Sequence, residues 1–151
     1  ADLFLPVDST LIPTGEFRKV AKTPFDFRFP KVIGKQINAE NTQIKNGLGY
    51  DHCWVLNDQE KGVRFVASAY EPASGRLLEV FSDEPGIQFY SGNFLDGTLP
   101  SKNEGTYQHR TGFCLETQHY PDTPNQKDFP SVRLNPGESY QSQTVFRFSA
   151  K

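Results

Sequence analysis

Three polar side chains stand alone in stretches that otherwise read as apolar strand: Asp51 in GYDHCWVL, Gln88 in GIQFYSGNF and Glu116 in GFCLETQHYPDTPN. A carboxylate buried without a partner is costly, so it either finds one or has chemistry to perform. Strand alternation places Cys114, Glu116, Gln118 and Tyr120 on one face, with Phe113, Leu115, Thr117 and His119 on the other. The same rule puts Asp51, Cys53 and Val55 opposite Tyr50, His52, Trp54 and Leu56, and puts Gln88 and Tyr90 opposite Ile87 and Phe89. If the polar faces converge, they line a pocket with two carboxylates, an amide and aromatic walls. Such a pocket suits a sugar, whose hydroxyls need acceptors and donors and whose C–H faces need rings.

The elements that would hold these residues are strands. VRFVASAY, then EPASG, then RLLEVFS reads as an antiparallel hairpin over Val63–Tyr70 and Arg76–Ser82. Ile87–Phe94, Gly112–Tyr120, Ser131–Leu134 and Gln143–Phe148 share the same β-branched and aromatic richness. LNPGE at Leu134–Glu138 is a turn, with Pro136 setting φ and Gly137 accepting a positive one. No helical periodicity outlasts about a turn, and Pro30–Gln43 is the best place for a short helical piece. The expectation is all-β, with both faces of the strands covered as in sheets packed on sheets.

Composition narrows the function classes. The chain has 151 residues, 36% of them hydrophobic, which is one domain's worth of material. A net charge of −2 with scattered Lys and Arg argues against nucleic-acid or anionic-membrane partners. No apolar run is long enough for a membrane span, and Ala1–Val7 does not read as a signal peptide. With no Met at all, the chain is expected to begin by processing or truncation. Cys53 and Cys114 are expected as small core residues, and His52, His109 and His119 as structural or exposed. A zinc site from His52, Cys53, Cys114 and His119 is disfavoured because adjacent strand residues face opposite ways, so no metal is expected.

FLPVDSTLIPTGE, TPFDFR, GLGYDHCWVL, GIQFYSGNFLDGT and CLETQHYPDTPNQKDFPS occur in this order along nearly the whole chain. Together they closely resemble the galactose mutarotases, or aldose 1-epimerases. The match covers residues 1–151 but only the C-terminal portion of the family's single domain. The resemblance implies a β-supersandwich of mostly antiparallel sheets that needs no cofactor. It implies that Glu116 is the general base taking the proton from the anomeric hydroxyl. Asp51 and Gln88 would contact sugar hydroxyls, with Tyr90 and Phe89 shaping the Gln88 segment. The substrate would be an aldohexose such as galactose or glucose.

The family's acid His, in an Asn-His motif, lies N-terminal to the matched region, as do an Asn-Arg pair and another His. The N-terminal portion of the same protein is therefore an expected partner, and the isolated chain is expected to bind sugar poorly, catalyse little and self-associate through uncovered apolar faces. Two other functions remain open: a glycosidase using Asp51 and Glu116, and a sugar-binding protein that keeps the fold without turnover. A cytoplasmic location, or alternatively a periplasmic one, follows only by analogy with the family.

Overall fold

The computed structural model describes residues Ala1–Lys151. Its strands are β1 (Leu3–Leu5), β2 (Arg18–Lys19), β3 (Asp51–Val55), β4 (Arg64–Glu71), β5 (Arg76–Ser82), β6 (Gly86–Tyr90), β7 (Cys114–Gln118) and β8 (Thr144–Ala150), with helix α1 (Thr42–Gly47) before β3. A five-stranded sheet runs β2-β1-β3-β6-β7 and a three-stranded sheet runs β4-β5-β8. Every pairing is antiparallel. No helix is long and apolar enough to cross a membrane.

One face of the larger sheet is an aromatic core. Phe4 of β1, Trp54 of β3 and Phe89 of β6 project into a buried cluster with Phe25 and Tyr50, and Val80 of β5 joins it from the smaller sheet. Phe25 comes from the TPFDFR segment, stacks on Phe4 with ring centroids 4.3 Å apart, and is fully buried. The polar tips around it are satisfied: Trp54 Nε1 donates to Phe25 O at 3.0 Å and the Tyr50 hydroxyl to Pro24 O at 3.1 Å. That segment is an irregular plug whose carbonyls complete the core's hydrogen bonds.

His52 lies wholly inside the same face. Its Nδ1 accepts from the Asp51 N–H at 3.1 Å, which leaves the ring proton on Nε2, 3.2 Å from Gln43 Oε1. Gln43 in turn bridges Val7, accepting from its N–H and donating to its carbonyl. A neutral ring is what this chain of bonds requires, and burial pushes the His52 pKa down to about 3.

Pro30–Gln43 holds one short helical piece, and α1 begins at its end and runs past it. Ile33–Lys35 forms a single 3-10 turn, and α1 starts where Asn41 caps it by accepting from the Gln43 and Ile44 N–H groups. It stops at Leu48, φ 52°, where the Gly49 N–H returns to Ile44 O. Ser131–Leu134 is not a strand; it is exposed and finds no sheet partner between Pro130 and Pro136, neither of which can donate. β6 stops at Tyr90 because Gly92, φ 72°, turns the chain. Cys53 is buried as expected, but Cys114 is exposed, because β7 is an edge strand with a neighbour on one side only.

Two measurements test this architecture. In the unfolded chain His52 takes its proton near the ordinary value of 6.5, whereas in the fold it resists protonation to about 3. The unfolded state therefore binds more protons over that interval, and stability falls as pH falls through it. Urea midpoints should drop from about pH 7 to about pH 4, and His52→Gln should flatten the slope. Separately, β8 leaves Phe146 50% and Phe148 76% exposed. Gel filtration should show a concentration-dependent mass above the monomer that Phe148→Ser reduces; a clean monomer at all concentrations would refute it.

Candidate functional site

Register brings the candidate residues together. Cys53 of β3 pairs with Gln88 of β6, which pairs with Glu116 of β7. In the next row Asp51 pairs with Tyr90, which pairs with Cys114. Directly paired residues share a face, so Asp51, Gln88, Tyr90 and Glu116 all stand on the side of the sheet opposite the aromatic core. They line a groove of about 370 Å³, walled by Leu5, Val7, Leu11 and Pro13 from the N-terminal segment and by Phe94 and Pro121.

The polar floor is partly wired. Gln88 Nε2 donates to Asp51 Oδ1 at 2.8 Å, which orients the amide. Gln88 Oε1 is then left buried without a partner, an acceptor in want of a donor. Burial raises the Asp51 pKa; the Gln88 bond opposes this, and the nearby Glu116 charge adds to it. The Tyr90 hydroxyl accepts the Phe94 N–H at 2.9 Å, so its own proton remains to be donated. The groove thus offers carboxylate and amide acceptors with one phenolic donor, a set matched to hydroxyl groups.

Glu116 differs from the expectation of a covered strand. It is exposed, for the same edge-strand reason as Cys114. The histidines lie elsewhere: His52 is under the sheet, and neither His109 nor His119 lines the groove. No group of three His, Cys, Asp or Glu side chains could hold a metal ion.

What aims Asp51 escapes a reading of the sequence. Ser91 and Asn93, just past β6, grip the chain leading into β3. Asn93 Nδ2 donates to Gly47 O at 2.8 Å and Tyr50 O at 2.9 Å, and its Oδ1 accepts from Ser91 Oγ at 2.7 Å. The Tyr50 N–H donates to Ser91 Oγ at 3.0 Å. Gly49, φ 139°, has to be glycine, since a Cβ there would lie 2.3 Å from Asn93 Oδ1. The Ser-Gly-Asn triplet beyond the apolar run is the available signal: small polar residues at a strand end bond neighbouring backbone.

Comparison with known proteins gives the family and the fold. The family model for aldose 1-epimerase matches residues 1–147. The chain belongs to the aldose 1-epimerase family. It is 50% identical over 149 residues to the galactose mutarotase of Homo sapiens, covering 99% of this chain and 42% of that protein. It is 39% identical over 153 residues to the aldose 1-epimerase of Escherichia coli, covering 100% of this chain and 44% of that one. The crystal structure of an aldose epimerase homologue from C. elegans superposes with a TM-score of 0.82 at 30% identity, covering 99% of this chain and 44% of the other. The fold is therefore the mostly antiparallel galactose-mutarotase type, and the chain spans less than half the length of the relatives it matches.

Asp51 carries a testable penalty. Because its folded pKa lies above the ordinary 3.8, the fold holds that proton more tightly than the unfolded chain. Ionising Asp51 therefore costs stability, and the cost is complete once pH exceeds the folded value. Asp51→Asn keeps an acceptor for Gln88 and should raise Tm at neutral pH, the gain shrinking as pH falls through the carboxylate range. A Tm difference independent of pH would contradict it.

Proposed function

We propose that this chain supplies the base and part of the sugar-binding floor of an aldose 1-epimerase that interconverts the α and β anomers of an aldohexose such as galactose or glucose. The single observation carrying this is that Asp51, Gln88, Tyr90 and Glu116 occupy adjacent paired rows on one face of the sheet, along one groove. Family membership supports the reaction class, since relatives bear the names galactose mutarotase and aldose 1-epimerase.

The chemistry needs one base and one acid. Glu116 takes the proton from O1 while an acid protonates the ring oxygen; the C1–O5 bond breaks to give the open aldehyde. Rotation about C1–C2 presents the other carbonyl face, and the two groups exchange roles as the ring closes. Asp51 and Gln88 accept from sugar hydroxyls and hold the ring against the base. On the family resemblance the acid is a His of the N-terminal portion, beyond residues 1–151; the three histidines here stand away from the groove. In this chain alone Glu116 meets water, which competes with the anomeric hydroxyl for its carboxylate oxygens.

A sugar-binding role without turnover is the second reading. The wired Asp51–Gln88 floor beside an exposed Glu116 favours it for the chain in isolation.

Polarimetry of freshly dissolved α-D-galactose and α-D-glucose separates the two. Joined to its upstream sequence, the chain should speed anomeric equilibration, and Glu116→Gln should remove about 10²–10⁴-fold of that rate with little change in sugar affinity. A folded, sugar-binding protein that leaves the buffer rate unchanged would establish the binding reading instead.

A further inference from the structure

The groove does not use one buried carboxylate. Glu84, between β5 and β6, is 5% exposed, and Ser82 at the end of β5 is fully buried. Both belong to a polar network that crosses between the two sheets. Thr117 of β7 stands with its Oγ1 2.6 Å from Thr144 Oγ1 of β8, which lies 3.1 Å from Ser82 Oγ. Ser82 Oγ also accepts the Glu84 N–H at 3.1 Å. The Glu84 carboxylate then reaches outward: the Tyr140 hydroxyl donates to Oε1, and His119 Nδ1 stands 3.1 Å from Oε2. That second approach lacks the alignment of a hydrogen bond, which leaves Glu84 Oε2 without a donor. Its ring also packs on Tyr140 at 5.5 Å between centroids. Arg64 closes the far side, donating to the carbonyls of Ser82 at 3.0 Å and Glu84 at 3.2 Å.

The two ends of this network both meet the chain just after the base. Thr117 follows Glu116 on the opposite face of β7, and His119 lies just past the strand's end. β7 has a sheet neighbour on one side only. Backbone pairing with β6 fixes one edge of the strand, and Leu115 packs on the aromatic core beneath it. The Thr117–Thr144 and His119–Glu84 contacts add a polar restraint from beneath, on the residues that follow Glu116. By contrast, Asp51 and Gln88 sit on β3 and β6, which are paired on both sides.

We propose that Glu84, with Ser82, Thr144 and Thr117, is a positioning device for Glu116: the smaller sheet holds β7 from beneath and thereby sets where the base meets the anomeric hydroxyl. This rests on the assignment of Glu116 as the base. A misplacement of about 1 Å in a catalytic group can cost about 10²-fold in rate, so a modest loosening has a readable effect.

The test uses the chain joined to its upstream sequence, with two readouts. Glu84→Ala and Thr117→Val should each lower kcat for galactose anomerisation by about tenfold while KM stays within about twofold. Glu84→Gln still accepts from Tyr140 and should recover most of the loss. Amide hydrogen exchange should speed up along Cys114–Gln118 in Glu84→Ala and Thr117→Val and stay unchanged along Asp51–Val55. Unchanged kcat in folded variants, or a loss shared between kcat and KM, would overturn the clamp. If the unsubstituted protein does not mutarotate, the assigned reaction fails and exchange alone decides the clamp, with unaltered β7 protection refuting it. Should Glu84→Ala not fold, Thr117→Val decides the matter by the same two readouts.

Discussion

The register of β3, β6 and β7 is the constraint on which everything else depends. One side of these strands carries His52, Trp54, Ile87, Phe89 and Leu115, and the other carries Asp51, Cys53, Gln88, Tyr90 and Glu116. Because side chains alternate with a period of two, a slip of one residue would exchange these sets. Asp51 would enter the cluster of Phe4, Phe25 and Tyr50, and Trp54 and Phe89 would face water. An uncompensated charge in an apolar core and the loss of large aromatic burial both oppose that slip strongly. The groove's geometry is therefore maintained by the opposite face. Gly86 adds a steric lock, for a Cβ there would lie 2.8 Å from Cys53 Sγ and 3.1 Å from Gln118 O.

For the same reason much of the site is legible from residue order alone. Alternation within each strand assigns Asp51, Gln88 and Glu116 to single faces, and alternation is a local property. The VRFVASAY and RLLEVFS hairpin is legible likewise, with a bulge between Phe65 and Ala67 as its only irregularity. Everything that escapes residue order is non-local. β1 and β2 are too short to show a period, and they exist because Leu3–Leu5 pairs with β3. Ser131–Leu134 has strand-like composition but no partner. Glu116 and Cys114 read as covered because their own sequence is apolar, whereas exposure depends on the position of β7 in the sheet. Ser82, Glu84, Thr144 and Tyr140 give no signal, since their partners lie far along the chain.

The face that builds the groove is also where the fold gives up stability. Asp51 is held with its pKa raised by burial, and Gln88 keeps a buried carbonyl oxygen unpaired. Neither feature helps the chain fold, and both leave acceptors where a hydroxyl-bearing ligand can satisfy them. His52 makes the contrast plain: one residue along β3 and facing the core, it is as fully bonded as a neutral imidazole can be, to Asp51 and Gln43.

Binding residues and base are distributed unequally over this sheet, and that distribution carries a physical consequence. Asp51 and Gln88 occupy strands paired on both sides, so their part of the groove is formed within residues 1–151. Glu116 occupies the edge, where one row of backbone groups is unpaired and the carboxylate meets water. A base needs partial desolvation to work near neutral pH, and an edge strand needs a cover to avoid pairing with another chain. A single element laid along β7 would meet both requirements. On the proposed function the acid belongs to the length by which the relatives exceed this chain, and an element that carried it along β7 would cover the edge, dry the base and bring the acid in one structural event.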